Sequence, residues 1–158
     1  MIIYLVRHAH AGQRSFDGRD IFRQLSEDGH ARARELVSVF EGRPAVRIMS
    51  SPATRCVQTV SPLAAAAGME VEESQDLWEG SRIDDALTAL EIDGNGAVVA
   101  CSHGDIIPGL IEMLGAKGVR VTGRGCELGS IWVLRFENGR WVDARYGGIT
   151  NEQLEPSA

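Results

Sequence analysis

The chain has one lysine, Lys117, so nearly all of its positive charge is arginine, and 22 acidic residues leave a net charge of -6. Binding to nucleic acid without regard to sequence needs a field of Lys and Arg over the surface, and this balance excludes it. A local phosphate pocket remains open, because the planar arginine fork suits bidentate contact with phosphate or carboxylate. GC-rich codon usage accounts for the arginine bias without any function. Cysteine is scarce too. Cys56, Cys101 and Cys126 form no C-x-x-C pair, and their odd number argues against a disulfide framework, so a reducing cytoplasm is expected. Long apolar runs are missing as well. The opening stretch from Met1 to Val6 is cut off by Arg7 and His8, too short for a membrane span and without a basic leader region. Neither export nor a membrane partner is expected.

What is present fits one ordinary domain, expected over residues 1–158. Hydrophobic residues make up 44% of the chain and charged residues 24%, and a chain of 158 residues buries enough surface to fold without a disulfide or metal staple. Ile2 to Val6 reads as a buried strand that delivers Arg7, His8 and His10 at its C-terminal end. Gly12 to Arg23 is polar and aperiodic, hence a loop. Ser26 is the expected N-cap of a helix carrying Ala31, Ala33, Leu36, Val37 and Phe40. Val46 to Met49 is a second strand, running into Ser50-Ser51-Pro52 and a helix from Ala53 to Ala67 that Gly68 stops, with Arg55 in its first turn.

A short extended piece at Met69 to Glu73, a helix from Ile83 to Leu90 and a turn at Asp93 to Gly96 lead to a third strand, Ala97 to Cys101. That strand runs into Ser102-His103-Gly104-Asp105 and a helix in which Pro108 sits early and which Gly115 is expected to end. Ser130 to Phe136 and Arg140 to Tyr146 form a hairpin through Asn138-Gly139. The fold class is therefore α/β: a three-layer α/β/α sandwich with a mostly parallel central sheet and a C-terminal antiparallel hairpin. Ligands of such sheets bind beyond the carboxyl ends of the strands, so Arg7-His8, Ser51 to Arg55 and Ser102-His103-Gly104 should converge on one pocket.

Catalysis of phosphoryl transfer rests on fixed cations and donors around the phosphoryl oxygens. Two arginines and a histidine suit that task. A covalent route also needs a nucleophile that is neutral at working pH. A histidine beside two arginines has its protonated form disfavoured, and His8 fits.

These residues resemble the histidine phosphatase superfamily, the phosphoglycerate-mutase-like fold, whose opening signature is an apolar strand followed by Arg-His-Gly. Here that stretch is Leu5-Val6-Arg7-His8-Ala9-His10-Ala11-Gly12. The segment from Ser50 to Thr59 resembles the one carrying the family's second arginine, here Arg55, and Ser102-His103-Gly104-Asp105 resembles the one carrying its second histidine. The resemblance covers nearly the whole chain. It implies that His8 is phosphorylated during turnover, that Arg7 and Arg55 bind the phosphoryl oxygens, that His103 completes the pocket, and that Glu79 is the proton donor. The function so implied is hydrolysis of a phosphomonoester or of protein phosphohistidine, with a phosphorylated small molecule or a phosphohistidine protein as partner.

Ala9 stands where the family usually has glycine, and Ala11 and Arg14 stand where larger members often have threonine and asparagine. These departures resemble the short SixA-type branch and the phosphatase domain that follows a Nudix domain in some proteins, the latter also through Gly129 to Leu134. No cofactor is implied. His8-x-His10 has the spacing of a metal pair, but the chain holds four histidines and lacks further ligands in pattern, so no metal is expected. None of the three cysteines has an arginine at the spacing of a Cys-x5-Arg phosphatase loop. Cys56 and Cys101 read as core residues, His30 as a surface residue, and Arg14, Arg19 and Arg23 as a solvated basic loop or contacts for an anionic substrate tail. The alternatives are a non-catalytic module that binds a phosphorylated ligand, and phosphoglycerate-mutase-type phosphotransfer.

Overall fold

The computed structural model describes residues 1–150 and residue 154; the rest of the expected 1–158 domain lies outside the described residues. Seven strands and four helices follow in the order β1 (Ile2–Arg7), α1 (Glu27–Val39), β2 (Ala45–Ser50), α2 (Thr54–Ala67), β3 (Val71–Glu73), α3 (Ile83–Ala89), β4 (Ala97–Ser102), α4 (Ile106–Ala116), β5 (Arg120–Thr122), β6 (Ile131–Glu137) and β7 (Arg140–Gly148). The strands form one sheet in the order β3-β2-β4-β1-β6-β7-β5. β1 runs parallel to β4, and β2 runs parallel to both β4 and β3. β6 turns antiparallel to β1 and to β7, which gives the expected C-terminal hairpin.

The alternation of side chains along each strand divides the core between two faces. Ile3, Leu5, Val98, Ala100 and Leu134 pack on one side with Leu87 of α3 and with Ile107, Leu110 and Leu114 of α4. Tyr4, Val6, Val99, Cys101 and Val133 pack on the other with Leu36 and Val39 of α1 and Cys56, Val60 and Leu63 of α2. The sandwich thus has three layers. Each fully buried leucine contributes about 1.5–3 kcal/mol relative to exposure. Among the described residues, no helix is long and apolar enough to cross a membrane.

Local signals explain most boundaries. Ser26 caps α1 by accepting from the Gly29 amide at 3.1 Å, and Glu27 and Asp28 place acidic charge at the positive end of the helix. Gly68, at φ +65, closes α2 in the left-handed conformation. Asn138 and Gly139 both have positive φ, at +52 and +72, as a two-residue hairpin turn requires. Gly115 does not end α4. The helix runs on to Ala116, and Gly118 at φ +85 makes the turn instead, with Val119 N–H donating to the Leu114 carbonyl at 3.0 Å. Two elements carry no legible signal. The short β5 is exposed at every position and pairs with β7, and a single 3-10 turn at Asp20–Phe22 interrupts the expected loop.

Candidate active site

Three parallel strands end on the same edge of the sheet and are tied together there. The His8 amide donates to the Ser102 carbonyl and the Ser51 amide to the Cys101 carbonyl, each at 3.0 Å. The three expected segments therefore meet around one cavity of about 470 Å³, lined by Arg7, His8, Arg55, Glu79, His103 and Asp105 among others. All five residues singled out from the sequence border it.

His8 is buried, and its Nδ1 lies 2.9 Å from the Ala9 carbonyl oxygen. A carbonyl only accepts, so Nδ1 carries the proton and Nε2 keeps its lone pair. Burial lowers the His8 pKa from 6.5 to about 3; the Ala9 hydrogen bond opposes that, while His103, Arg55 and Arg7 add to it. The imidazole is thus neutral across the physiological range. Ala9 is fixed in turn, its amide donating to Thr59 Oγ1 of α2 at 3.0 Å and its methyl buried beside Leu25 and Ala33. The start of α1 presses on the same segment. Ser26 donates to the His10 carbonyl, and a Cβ at Gly29 would lie 2.0 Å from that oxygen, so this helix reaches the loop after His8 only with glycine at position 29.

Arg7 is set in place by two contacts. Its Nη1 donates to the Cys126 carbonyl at 2.5 Å, and its guanidinium packs against Gly104, where a Cβ would come within 2.7 Å of Nη2. The glycine after His103 is therefore the seat of this arginine.

Arg55 is 1% exposed and gathers the rest of the site. Its Nη1 donates to the Asp20 backbone carbonyl at 2.9 Å, and its Nη2 donates to Glu79 Oε2 at 2.9 Å and reaches His103 Nδ1 at 3.3 Å. Because arginine only donates, His103 Nδ1 accepts here, and the ring proton sits on Nε2, 2.8 Å from Ser51 Oγ. Trp78 packs edge-on against the same imidazole, its centroid 5.4 Å away. Cys56, expected as a core residue, is buried as such and also lies 3.5 Å from His103 Nε2. Glu79 stands between two guanidinium groups, with Oε2 on Arg55 and Oε1 on Arg14 at 2.5 Å. Asp105 holds the turn that carries Glu79, accepting from the Gly80 amide at 2.8 Å.

Of the basic loop, Arg14 and Arg23 line the cavity, whereas Arg19 pairs with Asp17 on the surface. His10 borders the cavity through an exposed side chain whose Nδ1 meets Ser26 Oγ at 2.7 Å. His30, expected on the surface, is half-buried on α1. No group of three or more His, Cys, Asp or Glu side chains placed to hold a metal ion is found among the described residues. Sequence reasoning missed the positioning roles of Ser51, Gly104 and Asp105; all three stand inside the motif segments, which was the signal available.

Comparison with known proteins follows the same lines. The family described as the histidine phosphatase superfamily (branch 1) matches residues 3–81. The 8-oxo-(d)GTP phosphatase of Mycolicibacterium smegmatis is 36% identical across 91% of this chain and 47% of its own length, so the chain spans about half of that relative. The protein histidine phosphatase SixA, solved with tungstate, has a TM-score of 0.69 at 18% identity, covering 93% of this chain and 94% of its own. Phosphoserine phosphatase of Entamoeba histolytica, solved with 3-phosphoglyceric acid, has a TM-score of 0.68 at 16% identity, covering 98% and 99%. At these identities the two structures share the fold alone.

Proposed function

The chain belongs to the histidine phosphatase superfamily, and from that premise we propose that it is a phosphatase, working as one domain over residues 1–158 through a covalent phosphohistidine on His8. One observation carries this reading: the Nδ1–H of His8 is committed to the Ala9 carbonyl, so a neutral ring offers its Nε2 lone pair beside Arg7, Arg55 and His103. In the first step His8 Nε2 attacks phosphorus in line with the leaving oxygen, and the bond to that oxygen breaks. Arg7 and Arg55 hold the phosphoryl oxygens and offset the charge that spreads over them in the transition state. His103 closes the pocket beside them, held between Arg55 and Ser51. Glu79, protonated on an oxygen released by one of the two arginines that hold it, gives that proton to an alkoxide leaving group and takes one back from the water of the second step. Water then cleaves the phosphorus–nitrogen bond, releasing phosphate and neutral His8.

The substrate proposed is a phosphomonoester or phosphohistidine on a protein. The relatives are named for an oxidised nucleotide, for protein histidine and for phosphoserine. These names support phosphate release as the common chemistry and leave the substrate to be found by assay. A panel of phosphorylated metabolites run beside a phosphohistidine protein is the test, with His8→Ala as control. Phosphate release by wild type that disappears in His8→Ala is expected. Ligand binding without turnover would replace the enzyme by a phospho-ligand-binding module, and turnover that survives His8→Ala would overturn the covalent route.

A further inference from the structure

A second cavity, of about 710 Å³, opens between α4 and the loop before β6, and it shares no lining residue with the one at His8. Cavities of that size take small molecules. Pro108, Ile111 and Glu112 of α4 form one wall and Gly123 to Cys126 the other, with Trp132 of β6 completing the lining. The Trp132 indole N–H already donates to the Gly125 carbonyl at 2.8 Å, so its ring offers the cavity apolar surface alone. Two charges stand on this otherwise apolar lining, one on each wall. Glu112 and Arg124 are both exposed, and among the described residues neither enters an ion pair, with the other or with a third side chain. The two walls also extend from the two supports of Arg7: Gly104, against which its guanidinium packs, lies two residues before α4, and the Cys126 carbonyl accepts from its Nη1.

An apolar lining calls for an apolar group on the ligand. An unpaired carboxylate and an unpaired guanidinium on separate walls call for a cation and an anion on the same ligand, because a ligand of one charge would meet its own sign on one wall. We infer that this cavity binds a small zwitterion with an apolar or aromatic side chain, a free hydrophobic α-amino acid whose ammonium group meets Glu112 and whose carboxylate meets Arg124, and that its binding steadies Arg7. The site stands on the cavity alone; the effect on Arg7 rests on the phosphatase reading, in which Arg7 holds a phosphoryl oxygen. A ligand that bridges the two walls fixes the Cys126 carbonyl relative to Gly104, so the guanidinium is set in place before the phosphoryl group arrives. Such coupling is reciprocal: each ligand tightens the other by the same factor.

Calorimetric titration with L-phenylalanine, L-serine, 3-phenylpropionate and 2-phenylethylamine tests the site. Phenylalanine should bind best, since serine lacks the apolar group, phenylpropionate the ammonium and phenylethylamine the carboxylate. Arg124→Ala should weaken phenylalanine about 3- to 10-fold and bind phenylethylamine no more weakly than wild type does. Glu112→Gln should weaken phenylalanine by a like factor and bind phenylpropionate no more weakly. Both positions are exposed, so neither variant endangers the fold. Saturating phenylalanine should tighten binding of tungstate, a phosphoryl stand-in, about fivefold or more, and tungstate should tighten phenylalanine equally. Phenylalanine that fails to bind at millimolar concentration, or that binds both variants as tightly as wild type, would overturn the site. Phenylalanine binding that leaves tungstate affinity unaltered would overturn the effect on Arg7. Tungstate that binds neither with nor without phenylalanine would overturn the phosphatase reading instead, and the titrations with phenylalanine alone would still decide the site.

Discussion

Arg55 and Arg14 grip the same carboxylate, at 2.9 Å and 2.5 Å, yet one side chain is 1% exposed and the other 55%. The inner wall of the cavity, with His8, Arg55 and His103, stands at strand ends and a helix start and is buried among core residues. The outer wall, with Arg14, Glu79 and Asp105, stands on loops and is held by polar contacts to its neighbours. On the proposed mechanism the buried inner wall meets the phosphoryl group of any substrate, while the outer wall faces whatever is attached to it. Substitutions on the two walls should differ in kind: inner changes cost turnover on every substrate and also stability, outer changes cost turnover according to the leaving group.

The largest effect expected is that of Arg55→Ala. On the proposed mechanism it removes a phosphoryl ligand, for a loss of about 10³-fold or more in kcat/KM on every substrate. It also strips Asp20 and Glu79 of a buried partner, costing on the order of 3 kcal/mol. Urea unfolding beside steady-state kinetics measures both. Unaltered stability would mean that the inner wall is no more structural than the outer one. Glu79→Gln should follow, lowering hydrolysis of an alkyl phosphomonoester by about 10²–10⁴-fold while leaving phosphohistidine far less affected; the amide oxygen can still accept from Arg55, so the melting temperature should fall less than in Arg55→Ala. Equal rates on the alkyl ester would reduce Glu79 to a loop residue. Gly104→Ala tests the seat of Arg7. The added methyl would meet the end of a flexible side chain at 2.7 Å, so the fold yields cheaply but the guanidinium moves. A misplacement of that size costs about 10- to 100-fold in rate.

The smallest effect is thermodynamic. The folded pKa of His8 is about 3, below the unfolded value of 6.5. Between those values the unfolded chain takes up a proton that the folded chain refuses, so the stability contributed by neutral His8 is complete above pH 6.5 and drains away as pH falls towards 3. Lowering the pH from 7 to 5 should cost about 1–2 kcal/mol through this residue. Denaturant titrations at the two pH values should show the loss in wild type and a smaller loss in His8→Asn.

The inner wall is also the one legible in the sequence. Ile2 to Val6 and Ala97 to Cys101 are short apolar runs that stop at charged or polar residues, and a parallel sheet brings such stops to one edge. The order of residues along the chain is thus enough to make neighbours of Arg7, His8, Arg55 and His103. Glu79 came from resemblance alone, because a Trp-Glu-Gly turn has no periodicity to place it. The bond that places it, from the Gly80 amide to Asp105, joins loops 25 residues apart. The division of Arg14 and Arg23 from Arg19 likewise depends on a loop anchored by Asp20. β5 escaped because Arg120, Val121 and Thr122 are all exposed and show no alternation. Gly115 was a plausible stop for α4, but Gly118 three residues on takes the left-handed turn.

Rapid-quench labelling tests the covalent claim most directly. Wild type mixed with a substrate carrying radioactive phosphorus in its transferable group, then stopped within a turnover, should hold label in an acid-labile, alkali-stable linkage on the peptide containing His8, and His8→Ala should hold none. Turnover at the wild-type rate with no label on His8, or with equal label in His8→Ala, would contradict the account.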